Sequence, residues 1–442
     1  MTLDEIAVWL GLPATEKIPL AGVSIDSRTV LPGHLFVAIR GERFDGHDFI
    51  RAAQAKGAVA VLSSQFISDL PIPQLIMPCT LDALGLIAAC HRKRLGCEVI
   101  ALTGSNGKTT VKEMIASMLP QPAFATLGNL NNHIGVPLSL LKLTALHRYA
   151  VFELGANHVG EIAHTVAMVQ PKVALINNIA PAHLEGFGSI DGVVQAKSEI
   201  YQGLAPGGIA IVNADDTYAH RFDDSLQDKR VIQFSTQNPT TIHARDIHLD
   251  GLSGSQFVLV TPEGERSIQL QVPGLHNVSN ALAAAACVHA LGISLSEIAS
   301  RLALFRGVAG RLAFRLGKQQ ARVIDDTYNA NLRSVLAAVD VLAAQAGRRI
   351  LVLGDLGELG QYSEAHHEEI GIAAKQKGID VVMTVGQHSV ATSRAFGPSA
   401  QHYHHQEDLL LDLLTVLDEH TTVLVKGSRS SAMENIVNRL VD

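Results

Sequence analysis

Apolar residues recur along this chain in short runs that close on Gly, Asn, Asp or Thr, and between the runs they fall back to a helical spacing. HLFVAI and AVAVL come first, then VIALTG, YAVFELG, VALINN and GIAIVNADD, and finally ARVIDD, RRILVLG, DVVMTVG and TTVLVKG. Continuous apolar runs bounded by turn residues read as strands buried on both faces, and helices between them make the connections parallel crossovers. The expected fold is therefore α/β, with a central, doubly wound and mostly parallel sheet. One region breaks the alternation. Around residues 243–272 the segment FVLVTPEGERSIQLQV reads as a hairpin turning at Pro262, Glu263 and Gly264. The Ala-rich stretch after Asn280 reads as a tightly packed helix.

A chain of 442 residues exceeds what one core spans, and the pattern divides it in three. Residues 1–82 read as a small α/β domain, 83–312 as the central domain and 313–442 as a Rossmann-like domain. In the last, Gly354, Gly357 and Gly360 are spaced G-x-x-G-x-x-G and so miss the dinucleotide fingerprint.

The most informative chemistry lies in ALTGSNGKTTVKEM. A strand, a turn bounded by Gly104 and Gly107, and a helix starting near Lys108 would aim backbone N–H groups and a helix N-terminus at phosphate oxygens. Lys108 would neutralise charge, and the Thr109 hydroxyl would be available to magnesium. The loop Gly104, Ser105, Asn106, Gly107, Lys108, Thr109 and Thr110 is shorter than the usual G-x-x-x-x-G-K-[ST]. If the parallel strands deliver their C-terminal ends to one crevice, Glu153, Asn177, Asn178 and His183 converge there. Glu153 follows an apolar run, where a carboxylate can hold magnesium against phosphates.

Other polar residues are ambiguous by themselves. Taken alone, His183 in NNIAPAHLEGFGS reads as a hydrogen-bonded structural histidine rather than a ligand, and Lys197 in VVQAKSEIYQGL as a solvent-facing helix lysine. Asn277 and Asn280 share a helix face, suited to a base edge or to capping. VKGSRS adds Lys426 and Arg429 at a strand-to-helix turn, a corner that would take an anion. His91-Arg92-Lys93-Arg94 reads as a solvated helix end whose cations complement the dipole.

Composition narrows the setting. With 47% apolar and 17% charged residues the chain can bury a large core, and a net charge of -7 provides no field to attract nucleic acid. No basic, apolar leader opens it and no apolar run reaches membrane-spanning length. Four cysteines without C-x-x-C spacing fit a cytoplasmic protein, and HYHH at 402–405 reads as a surface cluster.

Taken together, DSRTVLPGHLFVAIRGERFDGHDFI, TGSNGKTT, GNLNNHIGVPLSLL, FELGANHVGEI, NNIAPAHLEGFGS, KSEI, HNVSNALAA, GRL, DDTYNAN and VKGSRSSAMENIV resemble the Mur ligase family from end to end. The resemblance is greatest to members that join D-alanyl-D-alanine to UDP-N-acetylmuramoyl-tripeptide using ATP and Mg2+. It implies a UDP-binding domain, a central ATPase and a C-terminal domain that helps bind the incoming amine. It further implies Lys108, His183 and Lys197 as catalytic groups, with Thr109, Glu153, His183 and Lys197 holding magnesium, Lys197 as a carbamate. Asn277 and Asn280 would lie beside adenine, Arg311 at the nucleotide phosphates and Asp326 at the ribose. Asn129, Asn131 and Asn132 would meet the tripeptide, Ser27, Arg28, Asp45, Gly46 and His47 the UDP-sugar, and Tyr328 and Asn329 the acceptor. Members of this kind commonly carry YNANP; here Leu332 follows Asn331 and restores an N–H donor. A monomer without nucleic-acid or membrane partners is expected. Two other readings stand beside this one: a sister ligase adding a single amino acid, or glutamate to folate, and a nucleotide-gated switch. No N-K-x-D segment supports the switch.

Overall fold

Three sheets organise the chain, each built from the apolar runs noted above together with strands too short to show a period. The computed structural model describes residues 1–41, 43–181 and 184–441. In the first domain β1 (Gly22–Ser24), β2 (His34–Val37), β3 (Ala60–Ser63) and β4 (Gln74–Ile76) lie side by side in that order, all parallel. Alternation along β2 turns Leu35 and Val37 toward the helices Leu3–Trp9 and Thr80–Arg94, and Phe36 toward Ile50–Ala55.

The central sheet contains β5 (Glu98–Thr103), β6 (Ala123–Ala125), β7 (Tyr149–Glu153), β8 (Val173–Ile176), β9 (Ile209–Asn213), β10 (Arg230–Ser235), β11 (Ile242–Leu249), β12 (Ser255–Thr261) and β13 (Gly264–Leu270). Its spatial order is β13-β12-β11-β10-β9-β8-β5-β7-β6, parallel from β11 to β6. The chain winds from β5 outward to β6 and β7, then returns to β8 on the other flank. Beside β5 the winding direction reverses, and that reversal opens a crevice at the carboxyl ends of the strands. The expected hairpin is β12–β13, turning at Pro262 and Glu263, and it extends the same sheet rather than forming a body of its own. Ala283–Ala286 are fully buried, so the helix Leu275–His289 packs in the same core as Lys108–Met118. The helices Glu161–Val169 and Ile190–Gln202 cover the opposite face.

The third domain comprises β14 (Ala313–Leu316), β15 (Arg322–Asp326), β16 (Arg348–Gly354), β17 (Val381–Val385), β18 (Ala400–Tyr403) and β19 (Thr421–Lys426). They lie in the order β14-β15-β19-β16-β17-β18, and β14 alone runs antiparallel. Among the described residues no helix is long and apolar enough to cross a membrane.

One sequence expectation needs correction. The segment His91–Arg94 is not simply a solvated helix end: His91 and Arg92 are buried. His91 Nε2 donates to Leu143 O (2.9 Å) and Arg92 Nε to Val169 O (3.0 Å). The helix Thr80–Arg94 contributes Leu84 and Ile87 to the first core and Ala88 to the central one, and its basic end ties it to the central domain.

Tyr201 shows what holds the central strands. Its buried hydroxyl donates to Ile211 O (2.5 Å) and accepts from Ile176 N (3.1 Å), bridging β8 and β9. Tyr201→Phe leaves both backbone groups without that partner and is expected to lower the stability of the central domain by about 1–3 kcal/mol. Urea unfolding followed by circular dichroism checks this; an unchanged midpoint would refute it.

Candidate active site

Strand β5 ends at Thr103 and the helix Lys108–Met118 follows almost at once, so Gly104–Gly107 must redirect the backbone within one tight loop. Gly107 caps that helix with φ 77°, in the left-handed region. A β-carbon there would stand 2.5 Å from Asn280 Oδ1 and 2.7 Å from Asn177 Nδ2, so glycine is required on two counts. Lys108 folds back over the loop and Nζ donates to Gly104 O (2.8 Å). Burial pushes its pKa below the usual ammonium range, against the opposing pull of the Glu153 carboxylate.

Glu153 closes β7 and is 3% exposed. Its carboxylate is clasped on both sides: Thr109 Oγ1 donates to Oε2 (2.9 Å) and Asn131 Nδ2 to Oε1 (2.8 Å). The Thr109 oxygen in turn accepts from Arg311 Nη2 (2.8 Å), which lies just before the expected start of the third domain and packs on Tyr328 within it. The backbone is fixed as well. Glu153 N donates to Thr126 Oγ1 (3.1 Å), while the buried Lys112 Nζ donates to Thr126 O (2.7 Å).

A ladder of amides lines the other side of the loop. Asn106 N donates to Asn178 Oδ1 (2.9 Å), and Asn106 O accepts from Asn177 Nδ2 (2.9 Å) and Asn178 Nδ2 (3.1 Å). Asn177 Nδ2 also donates to Asn280 Oδ1 (2.9 Å), and Asn280 Nδ2 to Asn277 Oδ1 (3.1 Å). Gly274 is the cap of this helix, but Asn277 Nδ2 also donates to Pro273 O (2.8 Å) just before it, so Asn277 ties down the helix start as well as facing the crevice.

Residues of the third domain complete the wall. Arg311 stacks on Tyr328, its Cζ 4.3 Å from the ring centroid. Asp326 Oδ1 accepts from Leu312 N (3.1 Å) and Oδ2 from the buried Lys426 Nζ (2.6 Å), which also donates to Asn329 O (2.9 Å). Lys426 is thus engaged by its own domain and is not a free anion-binding cation. Arg429 pairs with Glu434 (2.9 Å). Leu332 begins a helix capped by Asn331. The first helical position needs no N–H partner, so leucine fits there as proline would.

These groups enclose a cleft of about 1280 Å³. The loop, amide, tripeptide-side and third-domain candidates line it, except Gly104, Thr109 and Asn177. Lys197 is buried, not solvent-facing: it is 2% exposed, with Nζ 5.9 Å from the Phe187 ring centroid. Burial and the Lys108 charge hold its pKa well below the usual ammonium range. His183 lies outside the described residues. The UDP-sugar candidates do not line the cleft. In their own loop, Asp45 accepts from His47 N (3.0 Å), His47 Nδ1 (2.6 Å) and Arg40 Nε (2.9 Å). Because His47 Nε2 accepts from Ser64 N (3.0 Å), the ring proton resides on Nδ1. Arg28 is exposed and paired with Asp26, whose carboxyl it holds down at about 2. Gly46 brings its backbone against Ile39, where a β-carbon would come within 2.7 Å. Sequence reasoning missed Thr126, Lys112 and Arg333, whose roles rest on strand pairing and domain contact rather than on any local motif.

The donors fit magnesium. A hydroxyl and a carboxylate are hard oxygen ligands, and magnesium commonly takes one or two carboxylates plus substrate phosphates. Among the described residues no three His, Cys, Asp or Glu cluster as an all-protein metal cage would. Asn106 Nδ2 and Asn177 Oδ1 are buried without a protein partner in this wall.

Comparison with known proteins gives the same assignment along the length of the chain. The Mur ligase family, catalytic domain matches residues 19–69, the Mur ligase middle domain 102–288 and the Mur ligase, glutamate ligase domain 310–429. The UDP-N-acetylmuramoyl-tripeptide–D-alanyl-D-alanine ligase of Escherichia coli (strain K12) is 48% identical over 96% of this chain and 94% of its own length. That of Haemophilus influenzae is 41% identical over 97% and 95%. Among solved structures, MurF from Acinetobacter baumannii superimposes with a TM-score of 0.93 at 38% identity, covering 99% of this chain and 98% of its own. MurF ligase from Thermotoga maritima in complex with ADP gives 0.86 at 25% identity, covering 96% and 98%. With domain matches in sequence order over all three sheets, the chain belongs to the Mur ligase family.

Proposed function

We propose that this enzyme joins D-alanyl-D-alanine to UDP-N-acetylmuramoyl-tripeptide at the expense of ATP, yielding UDP-N-acetylmuramoyl-pentapeptide, ADP and phosphate for peptidoglycan synthesis. The observation that carries the reading is the meeting of Lys108, the Thr109–Glu153 pair and Arg311 in one cleft formed by two domains. Diaminopimelate is the third peptide residue in this reading, which rests on a relative from Acinetobacter baumannii, 38% identical, whose name specifies that tripeptide. The domains divide at 1–82, 83–312 and 313–442, and the enzyme works as a cytoplasmic monomer without nucleic-acid partners.

A carboxylate and an amine do not condense unaided, because the carboxylate oxygen leaves poorly. In the proposed sequence the terminal carboxylate oxygen of the tripeptide attacks the γ-phosphorus, the bond to the ADP oxygen breaks, and an acyl phosphate forms. The amine of D-alanyl-D-alanine then attacks the acyl carbon, loses a proton, and the tetrahedral adduct expels phosphate. Lys108 and the loop N–H groups stabilise the transferring charge, and Arg311 adds a cation from the segment that leads into the third domain. Magnesium, held by Thr109, Glu153, His183 and Lys197, would neutralise charge on the phosphates when bound. Docking of the third domain keeps water from the acyl phosphate.

Lys197 suits the magnesium role only as a carbamate. Burial and the Lys108 charge disfavour its ammonium form, and the uncharged amine can attack CO2 through Nζ and lose a proton, which replaces a cation with an anion. Lys197→Ala is expected to reduce turnover by at least about 100-fold, with partial rescue by acetate; near-normal activity would sink the role. For the reaction itself, phosphate release from ATP and Mg2+ is measured with UDP-N-acetylmuramoyl-tripeptide, with and without D-alanyl-D-alanine, and the pentapeptide identified by mass. Turnover requiring both substrates is the expected result. Turnover with a single amino acid in place of the dipeptide would assign a sister ligase instead.

A further inference from the structure

The third domain touches the phosphate loop through a side chain that none of the site assignments includes. Asn331 Nδ2 donates to Asn106 Oδ1 at 2.7 Å, across 225 residues of sequence. Its orientation is fixed by chemistry. Asn331 Oδ1 accepts from Ser334 N (3.0 Å), a group that can only donate, so Nδ2 must face Asn106. Asn106 must therefore present its oxygen to Asn331 and keep its NH2 for something else.

Every other polar atom of Asn106 is engaged, since its N–H lies on Asn178 and its carbonyl accepts from Asn177 and Asn178. Nδ2 is buried without a partner. A buried donor in that state is unfavourable, and an anionic oxygen arriving in the loop would relieve it. Two further contacts join the same surfaces: Arg333 Nη1 donates to Ile179 O (3.0 Å) and Arg311 Nη2 to Thr109 Oγ1 (2.8 Å). Asn331 is the member of this set that contacts the side chain of a loop residue and caps its own helix with the same amide.

We propose that Asn331 is a positioning residue: it orients the Asn106 amide toward the nucleotide phosphates and thereby links docking of the third domain to a filled phosphate loop. The inference rests on the ligase reading above. With the contact in place, the loop is complete only while the third domain covers it, so the acyl phosphate forms under cover from water.

Asn331→Asp separates capping from orientation of the Asn106 amide. The carboxylate still accepts from Ser334 N, but it has no donor for Asn106 Oδ1, so the Asn106 amide turns over, gives its NH2 to the carboxylate and presents its oxygen to the phosphates. The expected outcome is a fall in kcat of about tenfold with an unchanged melting temperature, and phosphate release exceeding pentapeptide formation because water intrudes. Asn106→Asp should keep the contact through a carboxylate acceptor yet raise the KM for ATP, since the freed NH2 is gone. Asn331→Ser, which retains a hydroxyl cap, serves if the first variant misfolds. Wild-type kcat and a phosphate-to-pentapeptide ratio of about one in a folded Asn331 variant would overturn the proposal. So would losses at 106 and 331 that simply add in the Asn106→Ala/Asn331→Ser double variant. Absence of dipeptide-dependent turnover in the unmodified enzyme would instead overturn the ligase reading.

Discussion

The electrostatic coupling of two lysines, the half-buried Lys108 and the buried Lys197, sets the terms for the rest of the site. Lys108 and Lys197 are each held below the usual ammonium range by burial, and the charge of Lys108 adds to the burden on Lys197. Arg311 contributes a third cation nearby, while Glu153 and Glu358 supply the opposing field at Lys108. A hollow with that balance favours an anion, and the phosphate groups of a nucleotide supply one without any change of fold. The disfavoured charge at Lys197 and the unpartnered amide atoms of Asn106 and Asn177 belong to the same condition: polar groups of this region lack partners within the protein.

Holding these charges in place falls to Glu153 and the elements behind it. Its carboxylate binds Thr109 from the phosphate-loop helix and Asn131 from the segment after β6, so one side chain ties two other pieces of chain to β7. The Thr126 hydroxyl and the Lys112 ammonium then fix the backbone of β7 against the same helix. The reversal of winding beside β5 explains why a carboxylate at the end of β7 can meet a loop at the end of β5: the two strands are neighbours, and Leu102 pairs with Glu153.

How much of this could be read from sequence follows from how local each signal was. The phosphate loop was legible because strand, glycines, lysine, threonine and helix occur within one continuous segment. Glu153 was legible because an apolar run ended on it. Lys197 was not, since its helix pattern alone leaves a lysine at the surface, and burial comes from Phe187 and the neighbouring core. Thr126 carries no signal at all; its hydroxyl matters only because β6 pairs with β7, with Ala125 opposite Val151. The His91–Arg94 run misled for the same reason, as the carbonyls of Leu143 and Val169 that engage it lie far along the chain. Strands β1, β4 and β6 were too short to show a period. The family resemblance supplied the partners for Arg311 and Asp326, which residue spacing by itself did not.

The site is incomplete within any single domain. Thr109 and Arg311 are 202 residues apart, and Asn106 and Asn331 are 225 apart, yet each pair lies within hydrogen-bond distance. Contacts of such span form only once both sheets exist and have docked, so they belong to the least local and most easily separated part of the molecule. For a ligase that arrangement has a use. An acyl phosphate must be shielded after it forms, but its substrates must first enter and the product must leave. Because Arg311 and Asn331 pack with one body and the phosphate loop belongs to the other, the polar groups that face the loop are complete only where the two bodies meet.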